Sequence, residues 1–163
     1  MARSLYAFST GATAYTSTAA LQNALGVFSS ATDFGLQLCK YRIGFNGVTA
    51  SNTPVTIRFG TCTYATNPPG TNSTSATIFQ ESGRVIAATN ITAGYNWTAG
   101  NEPTVKTYLG DAFILTPNGG VVLYDFPLGD EPDTFTSGNT GFFIETTAAQ
   151  TVGVVGSMWF SRI

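Results

Sequence analysis

The sequence predicts an all-β protein, an antiparallel β-sandwich or jelly-roll-like barrel with at most one short helix near the N-terminus. Three observations carry this. Gly, Pro and Asn interrupt the 163-residue chain roughly every 8–15 residues. The runs between them are short and rich in Val, Ile, Phe, Tyr and Thr, with 26 Thr and 12 Phe in all. No segment sustains a 3.6-residue apolar period.

Residues 1–32 read as an N-terminal arm and first element, and residues 33–163 as the sandwich, together one domain. Ser4 to Thr32 carries no charge, and its apolar runs are too short to span a bilayer or to form the core of a secretory signal. The best helix candidate is Thr18–Leu25, with Ser17 or Thr18 as N-cap and Gly26 beyond the end. A strand fits the same residues nearly as well. Next comes a predicted hairpin. Tyr41, Ile43 and Phe45 alternate with Lys40, Arg42 and Gly44; after the loop Asn46–Pro54, Val55, Ile57 and Phe59 alternate with Thr56, Arg58 and Gly60. Side chains switch faces at each strand residue, so the apolar set shares a buried face and Lys40, Arg42 and Arg58 share a wet one.

In that register Cys39 faces Thr61 and Cys62 points to the opposite side. A disulfide needs both Cβ atoms close together on one side, so two free thiols are expected. Thr61–Ser75 reads as a loop around Asn67-Pro68-Pro69-Gly70. Strands are expected at Thr77–Gln80, Arg84–Thr89, Ala112–Thr116, Gly120–Phe126, Gly141–Thr147 and Thr151–Ser161. Between them, Ile91–Pro103 holds Tyr95 and Trp97 among Gly and Asn residues. The two rings could stack on a sugar or base, or plug a loop into the sandwich.

Composition narrows the chemistry. Only 10% of residues are charged, against roughly 25% in an average globular chain. The absence of histidine excludes a Ser-His-Asp or Cys-His site and any imidazole metal ligand. A net charge of −2 with dispersed basic residues argues against nucleic acid. The acidic stretch Asp130-Glu131-Pro132-Asp133 lacks alternating calcium-loop spacing and reads as a solvated loop. There is no phosphate-cradling glycine motif. The sequons at Asn72, Asn90 and Asn96 are what a chain this rich in Ser, Thr and Asn produces by chance. No catalytic residues, metal or cofactor are expected, and no membrane partner. The chain reads as a binding or structural protein.

Several strands are apolar on both faces. Val121 and Leu123 oppose Val122, Tyr124 and Phe126; Phe143 opposes Phe142 and Ile144; Val155 and Trp159 oppose Val152, Val154, Met158 and Phe160. A two-layer sandwich buries one face of each sheet. The surplus must meet loops, another copy or another protein. Tyr124, Phe126, Phe143, Val155 and Trp159 are therefore candidate interface residues.

Tyr41–Phe59 (YRIGFNGVTASNTPVTIRF), Asn96–Thr104 (NWTAGNEPT), Asn118–Pro132 (NGGVVLYDFPLGDEP) and the aromatic strand Val152–Phe160 together resemble small β-rich head decoration, or cement, proteins of tailed bacteriophages. The resemblance covers most of residues 33–163 and carries no residue-level functional motif. It implies a homotrimer that binds the major capsid protein on the outer head surface, in a virion assembled in the host cytoplasm. It also implies that Met1–Thr16 lies over a neighbouring subunit or donates a strand to it, which adds Leu5, Tyr6 and Phe8 to the candidate interface. Lys40, Arg42 and Arg58 would be the polar contact face. The alternative is a tail or fibre component that binds host surface glycan through Tyr95 and Trp97.

Overall fold

Two antiparallel sheets pack against each other in the computed structural model, which describes residues 4–11, 15–17, 22–46, 51–83, 87–98, 100–103, 105–134, 138–148 and 151–163. Sheet A holds β1 (Leu5–Ser9), β2 (Tyr15–Ser17), β4 (Leu36–Phe45), β7 (Phe79–Ser82), β11 (Val121–Asp125) and β13 (Val152–Arg162). Its order is β11-β4-β13-β1-β7, with β2 also on β13. Sheet B holds β3 (Gln22–Ser29), β5 (Val55–Thr63), β6 (Thr74–Ala76), β8 (Ile91–Tyr95), β9 (Val105–Tyr108), β10 (Phe113–Leu115) and β12 (Thr140–Ala148). Its order is β10-β5-β12-β3-β8-β6, with β9 also on β5. The described residues contain no helix.

The core lies between the sheets. From sheet A come Tyr6, Phe8, Leu36, Leu38, Tyr41, Ile43, Val152, Val154, Met158 and Phe160. From sheet B come Leu25, Val27, Val55, Ile57, Phe59, Phe142 and Ile144. Alternation in β13 puts every second residue from Val152 to Phe160 inside. In β4 the alternation breaks at Cys39. Trp159 pairs with Lys40 and Phe160 with Leu38, so Cys39 is the extra residue of a β-bulge. The bulge keeps Leu36 and Leu38 on the same face as Tyr41 and Ile43.

The long strands cross between sheets: β3 to β4, β4 to β5, β10 to β11, β11 to β12 and β12 to β13 each change layer. Among the described residues no two strands adjacent in sequence pair with each other. This corrects the expected hairpin. β4 and β5 lie in opposite sheets, where Tyr41 and Phe59 stack across the core at 5.2 Å between ring centroids. Their apolar residues do share one interior, reached from its two sides. Both thiols are free, and the separation of the sheets is the reason.

The N-terminal half departs further from expectation. The stretch read as a helix, Thr18–Leu25, is strand from Gln22 onward, and its residues 18–21 lie outside the described set. Residues expected to form an arm are strand too. β1 sits inside sheet A, paired with β13 on one side and β7 on the other. Of the strand expected at Arg84–Thr89, residues 84–86 lie outside the described set and 87–90 lead through a turn into β8.

Candidate functional site

The two outer faces differ. On sheet B, loops close the middle of the outer face over a second small core of Phe28, Cys62, Tyr64, Trp97 and Phe143. Glycine makes the closure possible. A Cβ on Gly26 would collide with the Tyr64 hydroxyl and the Trp97 ring, and one on Gly60 with the Thr107 carbonyl and the Phe143 ring. The bare backbone lets the rings lie flat on the sheet. The polar tips are satisfied there. Trp97 Nε1 donates to the Asn67 carbonyl at 3.1 Å, and the Tyr64 hydroxyl donates to the Phe142 carbonyl at 3.1 Å. Burial pushes the Cys62 thiol up to about 12 and the Tyr64 phenol well above its ordinary value.

Beside this core, Glu145 is fully buried and accepts from Lys106 Nζ at 2.8 Å. Lys106 also lies over the Phe143 ring, and Arg58 lies over the Tyr108 ring at 5.2 Å. Partial burial, with Glu145 nearby, raises the Tyr108 phenol. The middle of this face is bound up within the chain, and Ile114 on β10 stays 68% exposed at its edge.

Sheet A leaves its outer face exposed at the β11 and β7 sides, while Ala7 and Gly44 on that face are buried. Cross-strand partners share a face, which gives three rows. The first runs Asp125, Lys40, Trp159, Ala7, Phe79; the second Leu123, Arg42, Ser157, Ser9; the third Val121, Gly44, Val155. Leu123 is 66% exposed, Val121 54% and Phe79 50%. Lys40 Nζ lies 4.5 Å from the Trp159 ring centroid. The result is an apolar surface that carries two cations, Lys40 and Arg42.

At the side of the sandwich, between the edge strands β10 and β11, is an aromatic cleft of about 450 Å³. Tyr41, Phe59, Phe113, Tyr124 and Phe126 line it, with Leu109, and Asp111 and Asp130 stand in its wall. It opens where β9 and β10, both paired to β5, are interrupted by residues 109–112. Tyr41 and Tyr124 stack almost parallel at 5.7 Å, and Tyr124 meets Phe126 at 4.7 Å. Burial, and then the neighbouring Tyr124, raise the Tyr41 phenol, so its hydroxyl keeps its proton.

The predicted interface residues therefore part company. Val155 and Trp159 are half-buried on the open face of sheet A, with Leu5 half-buried on β1. Tyr124 and Phe126 line the cleft instead. Tyr6, Phe8 and Phe143 are corrections: the first two fill the main core and the third fills the core on sheet B, so none reaches a partner. Arg58 is also a correction. It lies on sheet B, across the sandwich from Lys40 and Arg42, because β4 and β5 belong to different layers. Trp97 is 0% exposed and plugs its loop into the fold, whereas Tyr95 is half-buried on β8.

Sequence reasoning did not single out Phe79, Leu109, Phe113 or Asp111, and it read Asp130 only as part of a solvated loop. Val121 and Leu123 were visible as one apolar side of their strand, but alternation does not tell which side faces outward. Among the described residues no group of three or more Cys, Asp or Glu side chains is placed to hold a metal ion. The described residues include no helix long and apolar enough to cross a membrane. No family model, curated protein or solved structure matches the chain.

Proposed function

We propose that the chain is a virion structural protein: a capsid decoration, or cement, protein that docks as an oligomer on the outer head surface of a tailed bacteriophage and stabilises the shell. The observation that carries this reading is the open face of sheet A. There Val121, Leu123 and Phe79 are at least half exposed, while on sheet B the chain's own loops cover the middle of the equivalent face and leave Ile114 and Tyr108 exposed at its β9–β10 edge. Burial of one large apolar side chain is worth about 1.5–3 kcal/mol, so a few such residues suffice to drive association. The sequence resemblance to cement proteins points the same way.

The mechanism is stoichiometric binding. A protein that binds only the assembled shell stabilises it by mass action, by about 2.7 kcal/mol at a hundredfold excess over its dissociation constant. In a trimer, three linked contacts add avidity without strong individual ones. Lys40 and Arg42 would meet acidic capsid surface, and the apolar rows would meet the capsid or a neighbouring copy.

Purified protein is expected to sediment as a trimer and to cosediment with emptied heads of the phage that encodes it. Leu123→Asp is expected to weaken one of these contacts at least tenfold with an unchanged thermal midpoint. A strictly monomeric protein that ignores intact heads would overturn the reading. The glycan-binding alternative loses its aromatic pair, since Trp97 is buried.

A further inference from the structure

Elsewhere in the fold, the chain supplies cations to its own aromatic rings. Lys40 covers Trp159, Arg58 covers Tyr108, Lys106 covers Phe143, and Arg162 lies 3.8 Å from the Phe34 ring centroid. The cleft between β10 and β11 reverses this pattern. It gathers five aromatic side chains and two carboxylates, and among the described residues no cation lines it. Its volume of about 450 Å³ lies within the range of sites that hold a ligand group. An aromatic wall attracts a cation through the ring quadrupole, and carboxylates at the same wall attract it by charge.

The setting indicates how such a cation would arrive. β11 forms one wall of the cleft and pairs only with β4 among the described residues, so its other edge is open. An extended segment that adds to such an edge sends alternate side chains to opposite faces. On β11 the inward set is Val122 and Tyr124, so a residue of the added strand on that face would project toward the cleft.

We propose that this cleft is a receptor for one arginine side chain, presented on an extended segment of a partner protein that adds to the free edge of β11. The guanidinium stacks on the Tyr124 and Phe126 rings, with Tyr41 behind them, and is held by Asp111 and Asp130. Arginine fits better than lysine because its planar fork both stacks and bridges carboxylates.

The test is an amide-shift titration of the full chain with acetyl-Thr-Val-Arg-Val-Thr-amide, set against the same peptide with citrulline in place of arginine. Shifts are expected at residues 109–113 and 121–130, with at least tenfold weaker binding of the citrulline peptide. Asp111→Asn with Asp130→Asn, both exposed positions, is expected to weaken the arginine peptide at least fivefold and leave the thermal midpoint unchanged. Equal binding of both peptides would mean an apolar occupant. Shifts at the cleft that grow with protein concentration and need no peptide would mean a second copy. Either result, or no shift at millimolar peptide, overturns the proposal. Head binding is a separate measurement, so the two readings fail independently.

Discussion

Five asparagines show what single residues do here. Asn67, Asn72, Asn90, Asn96 and Asn139 all adopt positive φ, between 56° and 64°. Asparagine tolerates this left-handed conformation better than other non-glycine residues. Three of the five head the sequons noted in the sequence, so turn geometry accounts for the residue at each. At Asn96 the turn takes the chain from β8 into Trp97, whose ring closes sheet B. The two thiols differ just as sharply. Cys39 is half-buried on its bulge, and Cys62 is buried under the loops. A thiol reagent at pH 8 is expected to label Cys39 in the native protein and Cys62 only after unfolding. Labelling of both at one rate would show that the loops do not seal the sheet. The fold holds the Cys62 thiol near 12, whereas the unfolded chain ionises near 9.0. Above pH 9 the unfolded state therefore releases this proton first. Stability that is constant below pH 9 should fall between pH 9 and 12, by at most about 1.4 kcal/mol per pH unit for this group. Denaturant midpoints across that window, compared with those of Cys62→Ser, check it, because the raised Tyr41, Tyr64 and Tyr108 phenols lose stability there too. That both thiols are free was legible in the sequence; its cause, two separate sheets, was not.

Among the elements, the contrast between a sealed and an open sheet face sets the response to small changes. Gly26→Ala forces the Tyr64 and Trp97 side chains off sheet B and is expected to cost about 1–3 kcal/mol. Gly44 lies on the open face of sheet A, where an added Cβ meets only ordinary contacts, the nearest at 3.4 Å from Val121. Gly44→Ala is expected to be neutral or mildly stabilising, since it also removes unfolded-state freedom. Urea unfolding of the two variants measures the difference, and equal losses would contradict the assignment of faces. Strand existence was legible wherever alternation was strong: β11, β12 and β13 fall close to their expected ranges. β6, β8 and β9 were not expected, and β3 was read first as a helix, with a strand as the close alternative. Gln22–Ser29 interrupts its apolar residues with Ala24 and Gly26, and Val105–Tyr108 is short and mostly exposed. The loops that cover sheet B were legible only in part: Trp97 could be read as a plug, but nothing in its neighbourhood named Tyr64 as the ring it stacks on.

For the whole molecule, pairing is the property that sequence order concealed. Sequential strands usually pair or neighbour each other, and that rule suggested a hairpin between β4 and β5. In this fold β4 pairs with β11 and β13, and β5 with β12, β9 and β10. Apolar alternation reports which residues are inside, not which strand supplies the neighbour. The same tendency governed the candidate site: Lys40 and Arg42 were correctly grouped, and Arg58 was carried to the wrong side with its strand. Folding must close long loops before any sheet forms, which makes it slow. Refolding followed by tryptophan fluorescence is expected on a millisecond-to-second timescale, and a submillisecond main phase would contradict the topology.

The position of β13 has one more consequence. This strand, at residues 152–162, is the middle of sheet A, where it joins β4 to β1 and also carries β2. A polypeptide cut or stalled before residue 152 would lack the seam between the two halves of that layer. Such a fragment would offer bare strand edges to proteases and aggregates, so only a chain carried through residue 162 completes the layer.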